Sequence, residues 1–102
     1  MNQVRELDKT IHERSRLLIL SHLASNRKRE ISFNELQDQL GFTSGNLSVQ
    51  LKKLKQADYV KIQKTFRDNK PHTSVSLTPK GSKALNKYLD EMEDLIKSLK
   101  EP

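Results

Sequence analysis

No cysteine occurs among the 102 residues. Disulfides, thiolate metal sites, iron–sulfur clusters and cysteine nucleophiles are excluded together. Tryptophan is absent too, and Tyr59, Tyr88, Phe33, Phe42 and Phe66 are the only aromatics. That supply is poor for stacking successive bases, as single-strand binders do. No window approaches 18 apolar residues, and the start, MNQVRELDKT, lacks the apolar run of a secretion signal. The expectation is a soluble, cytoplasmic protein. Hydrophobic residues are 33% and charged residues 31%, the polar edge of the globular range, yet the apolar positions recur in ordered periods that disordered chains lack. The length suits one domain with a real core and no deep enclosed pocket.

Catalytic constellations are missing as well. His12, His22 and His72 are far apart in sequence, and no phosphate-cradling glycine loop or serine triad is present. His12 and His22 on one helix would stand about 15 Å apart and could share a metal only across a dimer. No enzyme activity, metal or cofactor is expected.

What the chain does have is a concentrated positive charge. The net charge is +6; residues 51–80 hold eight Lys/Arg against two Asp/Glu, while residues 1–50 hold seven against six and residues 81–102 four against five. A basic stretch between nearly neutral flanks fits a polyanion-facing patch better than general solubility. A solvated face is the plainer alternative.

The periodicity places the elements. Residues 11–24 carry a broad helical stripe of Ile11, Leu17, Leu18, Leu20 and Leu23, interrupted by Arg14, Arg16 and His22. The spacing of Leu7 and Ile11 predicts a shorter helical piece before it. SNRKREIS predicts an exposed connection, its Arg27-Lys28-Arg29 run a solvated turn or a contact. Ser32 and Glu35 have capping-box spacing, opening a helix with Phe33, Leu36 and Leu40 inward and Gly41 as terminator. Thr43 or Ser44 then caps a second helix whose inner positions are Leu47, Leu51 and Leu54. After Asp58, YVKIQKT and SVSLT predict an antiparallel hairpin with a basic loop over about residues 65–72, and Pro71 in that loop or at an edge. Thr78-Pro79 starts a last helix. In it Leu85, Tyr88, Met92, Leu95 and Leu99 form a heptad-like seam, widened by Leu89 and Ile96. Either this seam covers the first helices or it meets a second copy; the helix length favours the copy. Acidic Asp90, Glu91, Glu93, Asp94 and Glu101 flank it as a solvated face.

Two helices joined by GFTS and followed by a basic hairpin form a helix-turn-helix candidate. Over about residues 7–98 the sequence resembles small stand-alone winged helix-turn-helix transcriptional regulators of the MarR/ArsR superclass. LDKTIHERSRLLILSHL, SFNELQDQLGFTSGNLSVQLKKLKQADYVKIQK and SLTPKG carry the resemblance. Family members commonly have glycine where this chain has Asp58, and aspartate adopts a left-handed backbone less cheaply. The resemblance implies an α+β winged helix-turn-helix fold with a long C-terminal dimerisation helix. It further implies duplex DNA as partner, a homodimer, and repression by occlusion rather than activation. Residues 1–78 would form the DNA-binding body and residues 79–102 the dimerisation helix of the same domain.

The residues expected at base edges or in the groove are Ser44, Asn46, Ser48 and Gln50, with glutamine able to pair bidentately with adenine. Lys52 and Lys53 suit phosphates, or simply solubility. Lys64, Arg67, Lys70 and His72 lie in or beside the hairpin loop, and Arg67 suits a narrow minor groove. The dimer interface would use Leu85, Tyr88, Leu89, Met92, Leu95, Ile96 and Leu99. No effector ligand is legible. The competing reading is a winged-helix protein-interaction module that docks into a larger assembly; it requires no salt-sensitive duplex binding.

Overall fold

The computed structural model describes residues 7–26 and 30–100. Four helices, α1 (Arg14–Ser25), α2 (Phe33–Leu40), α3 (Ser44–Gln56) and α4 (Pro79–Lys100), alternate with β1 (Glu30–Ser32), β2 (Val60–Arg67) and β3 (Lys70–Leu77). The strands form an antiparallel sheet in the order β1-β3-β2. This is the expected α+β winged helix-turn-helix architecture. The Arg27-Lys28-Arg29 run lies outside the described residues, as does Glu101.

Local chemistry sets most of the boundaries. The Ser32 hydroxyl accepts from the Glu35 N–H at 3.1 Å, and Thr43 Oγ1 accepts from the Asn46 N–H at 3.1 Å. Each therefore satisfies a donor that a helix start leaves without a partner. The other half of the box at α2 differs from expectation, because the Glu35 carboxylate accepts from Gln39 one turn on. Gly41 ends α2 with φ 71°. Asp58 ends α3 in the same left-handed region, at φ 66°. The Asp58 N–H donates to the Lys55 carbonyl and the Tyr59 N–H to the Leu54 carbonyl, both at 2.9 Å. These paired bonds are a Schellman closure, so aspartate performs the role that glycine has in the resembling family.

Three sequence expectations are corrected. The segment before α1 is a turn rather than a short helix: Asp8 Oδ1 accepts from the N–H groups of Thr10 and Ile11, and α1 begins only after Glu13, whose side chain caps it. Ile11 is still buried, reached from the turn. The connection after α1 is not wholly exposed, because Glu30–Ser32 pairs with Ser74–Ser76 and buries Ile31; three residues are too few to show a strand period. Finally, the hairpin loop is much shorter than residues 65–72. Arg67 pairs with Lys70, leaving Asp68 and Asn69 as a two-residue turn with φ 52° and 63°, the geometry that matches strand twist. Pro71 sits in β3 opposite Phe66. One step from the closing pair the ladder alternation points its nitrogen away from β2, so the β2–β3 ladder keeps its bonds.

The core joins every layer: Ile19, Leu20 and Leu23 of α1, Leu36 of α2, Leu47, Leu51 and Leu54 of α3, Val60, Val75 and Leu77 of the strands, and Leu85 and Tyr88 of α4. Each such aliphatic burial stabilises the fold by about 1.5–3 kcal/mol. Thr78 couples hairpin to α4, since its hydroxyl accepts from the Gly81 N–H at 2.9 Å and donates to the Asp58 carbonyl at 2.8 Å. Gly81 is required there: a Cβ would come within 2.2 Å of the Tyr59 carbonyl oxygen.

Candidate nucleic-acid interface

The two caps and the left-handed Gly41 make the corner between α2 and α3 tight. Leu47, Leu51 and Leu54 hold α3 against the core, so its opposite side is committed to solvent. Ser44, Gly45, Asn46, Ser48, Val49, Lys52 and Lys53 are all exposed there. The small residues cluster in the first turns, where a convex partner can approach the helix closely. The two lysines follow toward its C-terminal end.

Gln50 departs from this pattern. It is half-buried, and its Oε1 accepts from Arg16 Nη1 at 2.7 Å, while its Nε2 donates to Asn46 Oδ1 at 3.2 Å. Arg16 in turn donates from Nε to the Thr10 carbonyl at 2.6 Å and lies 3.7 Å from the Glu13 carboxylate. Gln50 is thus a member of a polar chain reaching across from α1, not a free reader. Sequence inspection missed Arg16. The available signal was a guanidinium interrupting the inward stripe of α1, which needs polar partners when covered. Burial raises the Glu13 carboxyl, but hydrogen bonds from the Arg16 and Ser15 N–H groups and the Arg16 charge outweigh it and hold it below its ordinary value.

The hairpin supplies the second wall. Between α3 and β2 runs a groove of about 510 Å³ lined by Ser48, Lys52 and Lys64 over an apolar floor that includes Leu51 and Ile62. It brings together three expected contact residues. Strand alternation puts Lys64 and Phe66 on the side of Val60 and Ile62, while Arg67 and Lys70 share the opposite side at the tip. Directly opposed like charges are destabilising, so this pair gains from a bound anion. Phe66 is 76% exposed, an aromatic at the wing that its place in the sequence does not single out. His72 does not join the α3 groove; it lines a smaller pocket beside Ser32, Phe33 and Asn34.

A different surface lies along α4. Leu85 and Tyr88 are only 3% and 2% exposed, which corrects their assignment to a dimer interface: the chain's own core covers them. Met92 packs at the core edge. Leu89 before it and Leu95, Ile96 and Leu99 beyond it are exposed, Leu99 by 77%. Near the helix start, the Tyr59 hydroxyl donates to Asp8 Oδ2. Burial first, then the hydrogen bond and charge of Asp8, push the Tyr59 hydroxyl up to about 12. Burial also raises Tyr88, whose oxygen is 2.7 Å from His12 Nδ1.

Among the described residues no group of three or more His, Cys, Asp or Glu could hold a metal, and no helix is long and apolar enough to cross a membrane.

The winged helix DNA-binding domain family matches residues 15–96. An uncharacterized protein of Methanocaldococcus jannaschii is 34% identical over 67 residues, covering 66% of this chain and 73% of that protein. Among solved structures, a transcriptional regulator homologue from Pyrococcus horikoshii superposes with a TM-score of 0.83 at 27% identity, over 90% of this chain and 89% of its own. A MarR family transcriptional regulator from Streptomyces coelicolor, solved in complex with DNA, gives 0.74 at 19% identity, over 89% of this chain and 59% of its own.

Proposed function

The chain belongs to the winged helix DNA-binding domain family, and from that premise we propose that it acts as a homodimeric, sequence-specific transcriptional repressor in the cytoplasm. That it is a DNA-binding regulator rests on the family and on its regulator-like fold. The observation that carries the placement of DNA is the pairing of one exposed, small-residue helix face with a cationic hairpin across a single groove. α3 fits a major groove roughly 12 Å wide, with Ser44, Asn46, Ser48 and Gln50 at or near base edges and Lys52 and Lys53 at flanking phosphates. Lys64 lines the groove beside them. Arg67 and Lys70 at the wing tip reach the neighbouring backbone or minor groove, and His72 is a subsidiary phosphate contact at most.

Dimerisation uses the exposed apolar residues of the terminal helix: Leu89, Leu95, Ile96 and Leu99, with Met92 at the margin. Four exposed apolar side chains on one helix want a matching apolar surface, and a second copy of the same helix supplies it. Residues 1–78 then form the DNA-binding body and residues 79–102 the dimerisation helix of the same domain. Two bodies joined in this way read two half-sites, and occupancy near a promoter blocks access to it.

Selection of bound duplexes from random DNA, repeated at several salt concentrations, tests the reading. A recurring two-half-site sequence with steeply salt-dependent affinity is the expected result. Binding to no duplex at any salt would leave the protein-interaction module as the reading.

A further inference from the structure

Resting on the regulator reading above, we propose that Arg16 is a positioning residue for sequence selection: by occupying the Gln50 carbonyl oxygen it presents Gln50 and Asn46 as hydrogen-bond donors, which favour guanine over adenine.

A guanidinium can only donate. Arg16 is 11% exposed and held at three points, the Thr10 carbonyl, the Glu13 carboxylate and the Gln50 amide. It cannot swing away without leaving a covered charge unpaired. Gln50 therefore has one permitted amide orientation. Reversing it would set an NH2 group against a cationic donor and forfeit the 2.7 Å bond. With Oε1 turned to Arg16, Nε2 faces Asn46 and donates to its Oδ1. Asn46 is fixed in turn by that bond. Each amide oxygen has one lone pair engaged from the protein side and is turned toward that donor, while the N–H groups left for a partner are both of those on Asn46 Nδ2 and the second on Gln50 Nε2.

Bidentate recognition of adenine needs an amide oxygen to accept from N6 and an amide nitrogen to donate to N7. The oxygen half of that pairing is drawn toward α1. Guanine offers two acceptors, O6 and N7, which match the three outward N–H groups. The expectation from residue type alone, glutamine on adenine, is reversed by a hydrogen bond from a residue 34 positions away.

The test compares selected duplex sequences for the full-length wild-type protein and three variants, alongside Gln50→Ala. Positions whose preference disappears in Gln50→Ala define the bases this pair reads, and wild type should carry guanine there. Arg16→Ala frees the amide and should lower the guanine-to-adenine ratio at those positions by about fivefold or more. Arg16→Lys keeps a donor toward Gln50 and should restore most of that ratio, which a merely packing role would not allow. Gln50→Glu should keep the bond to Arg16 but remove the N–H, so Asn46 turns its oxygen outward and the preference moves to the donor-bearing bases adenine and cytosine. Circular dichroism and thermal midpoints establish that each variant is folded; if Arg16→Ala is not, Gln50→Glu carries the test. Selective binding whose base preferences are unchanged in the Arg16 and Gln50→Glu variants, or adenine at the wild-type positions, overturns the assignment and leaves the regulator reading intact. Absence of selective duplex binding by wild type overturns both.

Discussion

Helices α3 and α4 are built on the same plan and end in opposite situations. Each carries apolar residues at intervals of three and four, and each lays its first inward positions on the common core. α3 is 13 residues long, and the body covers Leu47, Leu51 and Leu54 along its length, so what remains outside is mainly serine, asparagine and lysine, with Val49 the one large apolar side chain among them. α4 has 22 residues, about 33 Å of helix. The molecule is 59 Å in its longest extent but only about 25 Å in the other two. The body runs out before the seam does, so what remains outside is leucine and isoleucine. Chemically, the first helix is finished against the protein and asks for a polar partner. The second is unfinished and asks for an apolar one.

The largest expected effect breaks the α4 side of this comparison. Leu95→Asp combined with Leu99→Asp alters residues that are exposed in the protomer, so the fold should survive. Sedimentation equilibrium at micromolar concentration should fall from twice the 11.8 kDa chain mass to that mass itself. A wild-type protein that is monomeric at high micromolar concentration would show that the outer half of α4 has no second copy to meet.

Next in size is the joint where α4 meets the body. Gly81→Ala forces a methyl to within 2.2 Å of the Tyr59 carbonyl oxygen, and overpacking against backbone should cost about 1–3 kcal/mol or more in denaturant unfolding. The same change at Gly45, which has open space around it, should be nearly neutral and, in a helix, slightly favourable.

The α3 side of the comparison, where DNA contact is proposed, is sharpened by removing its charges. Arg67→Ala with Lys70→Ala should weaken binding to all duplexes and reduce the salt slope by about 0.9 for each phosphate no longer neutralised. Lys53→Ala should do the same for one phosphate, leaving the ratio of specific to random affinity unchanged. An unaltered slope in the double variant would exclude the wing from the interface.

The smallest effect concerns alkaline stability. An unfolded tyrosine ionises near 10, whereas Tyr59 in the fold is pushed up to about 12. Between those values the folded chain binds more protons than the unfolded one, so the tyrosine's contribution to stability is constant below pH 10 and falls as pH rises toward 12. Denaturant midpoints measured across that window should decline in wild type. The decline should be shallower in Tyr59→Phe, where Tyr88 still contributes.

Much of the fold was legible because its determinants are local. Capping by Ser32, Thr43 and Thr78, the left-handed Gly41 and the strand formers around Ile62 and Val75 act within a few residues of themselves. The basic segment between residues 51 and 80 pointed to a polyanion for a similar reason, since charge density survives ignorance of the fold. β1 was hidden because three residues hold no period, and the hairpin turn was overestimated because its tip is polar whether paired or not. The site was less legible than the fold. Ser48, Lys52 and Lys64 share one groove while His72 lines another pocket, a division set by strand alternation and packing that the spacing of these residues in the chain does not carry.

Element order, caps, the charged hairpin and the spacing of the α4 seam were decided by the sequence itself, through backbone preferences and side chains that meet their partners within one turn. Only the tertiary structure decided that Leu85 and Tyr88 belong to the core while Leu95, Ile96 and Leu99 stay outside, because that depends on where the body ends along the helix. The same holds for the orientation of Gln50. Its amide is set by a guanidinium on another helix, and a hydrogen bond between residues 34 apart exists only once both helices have packed.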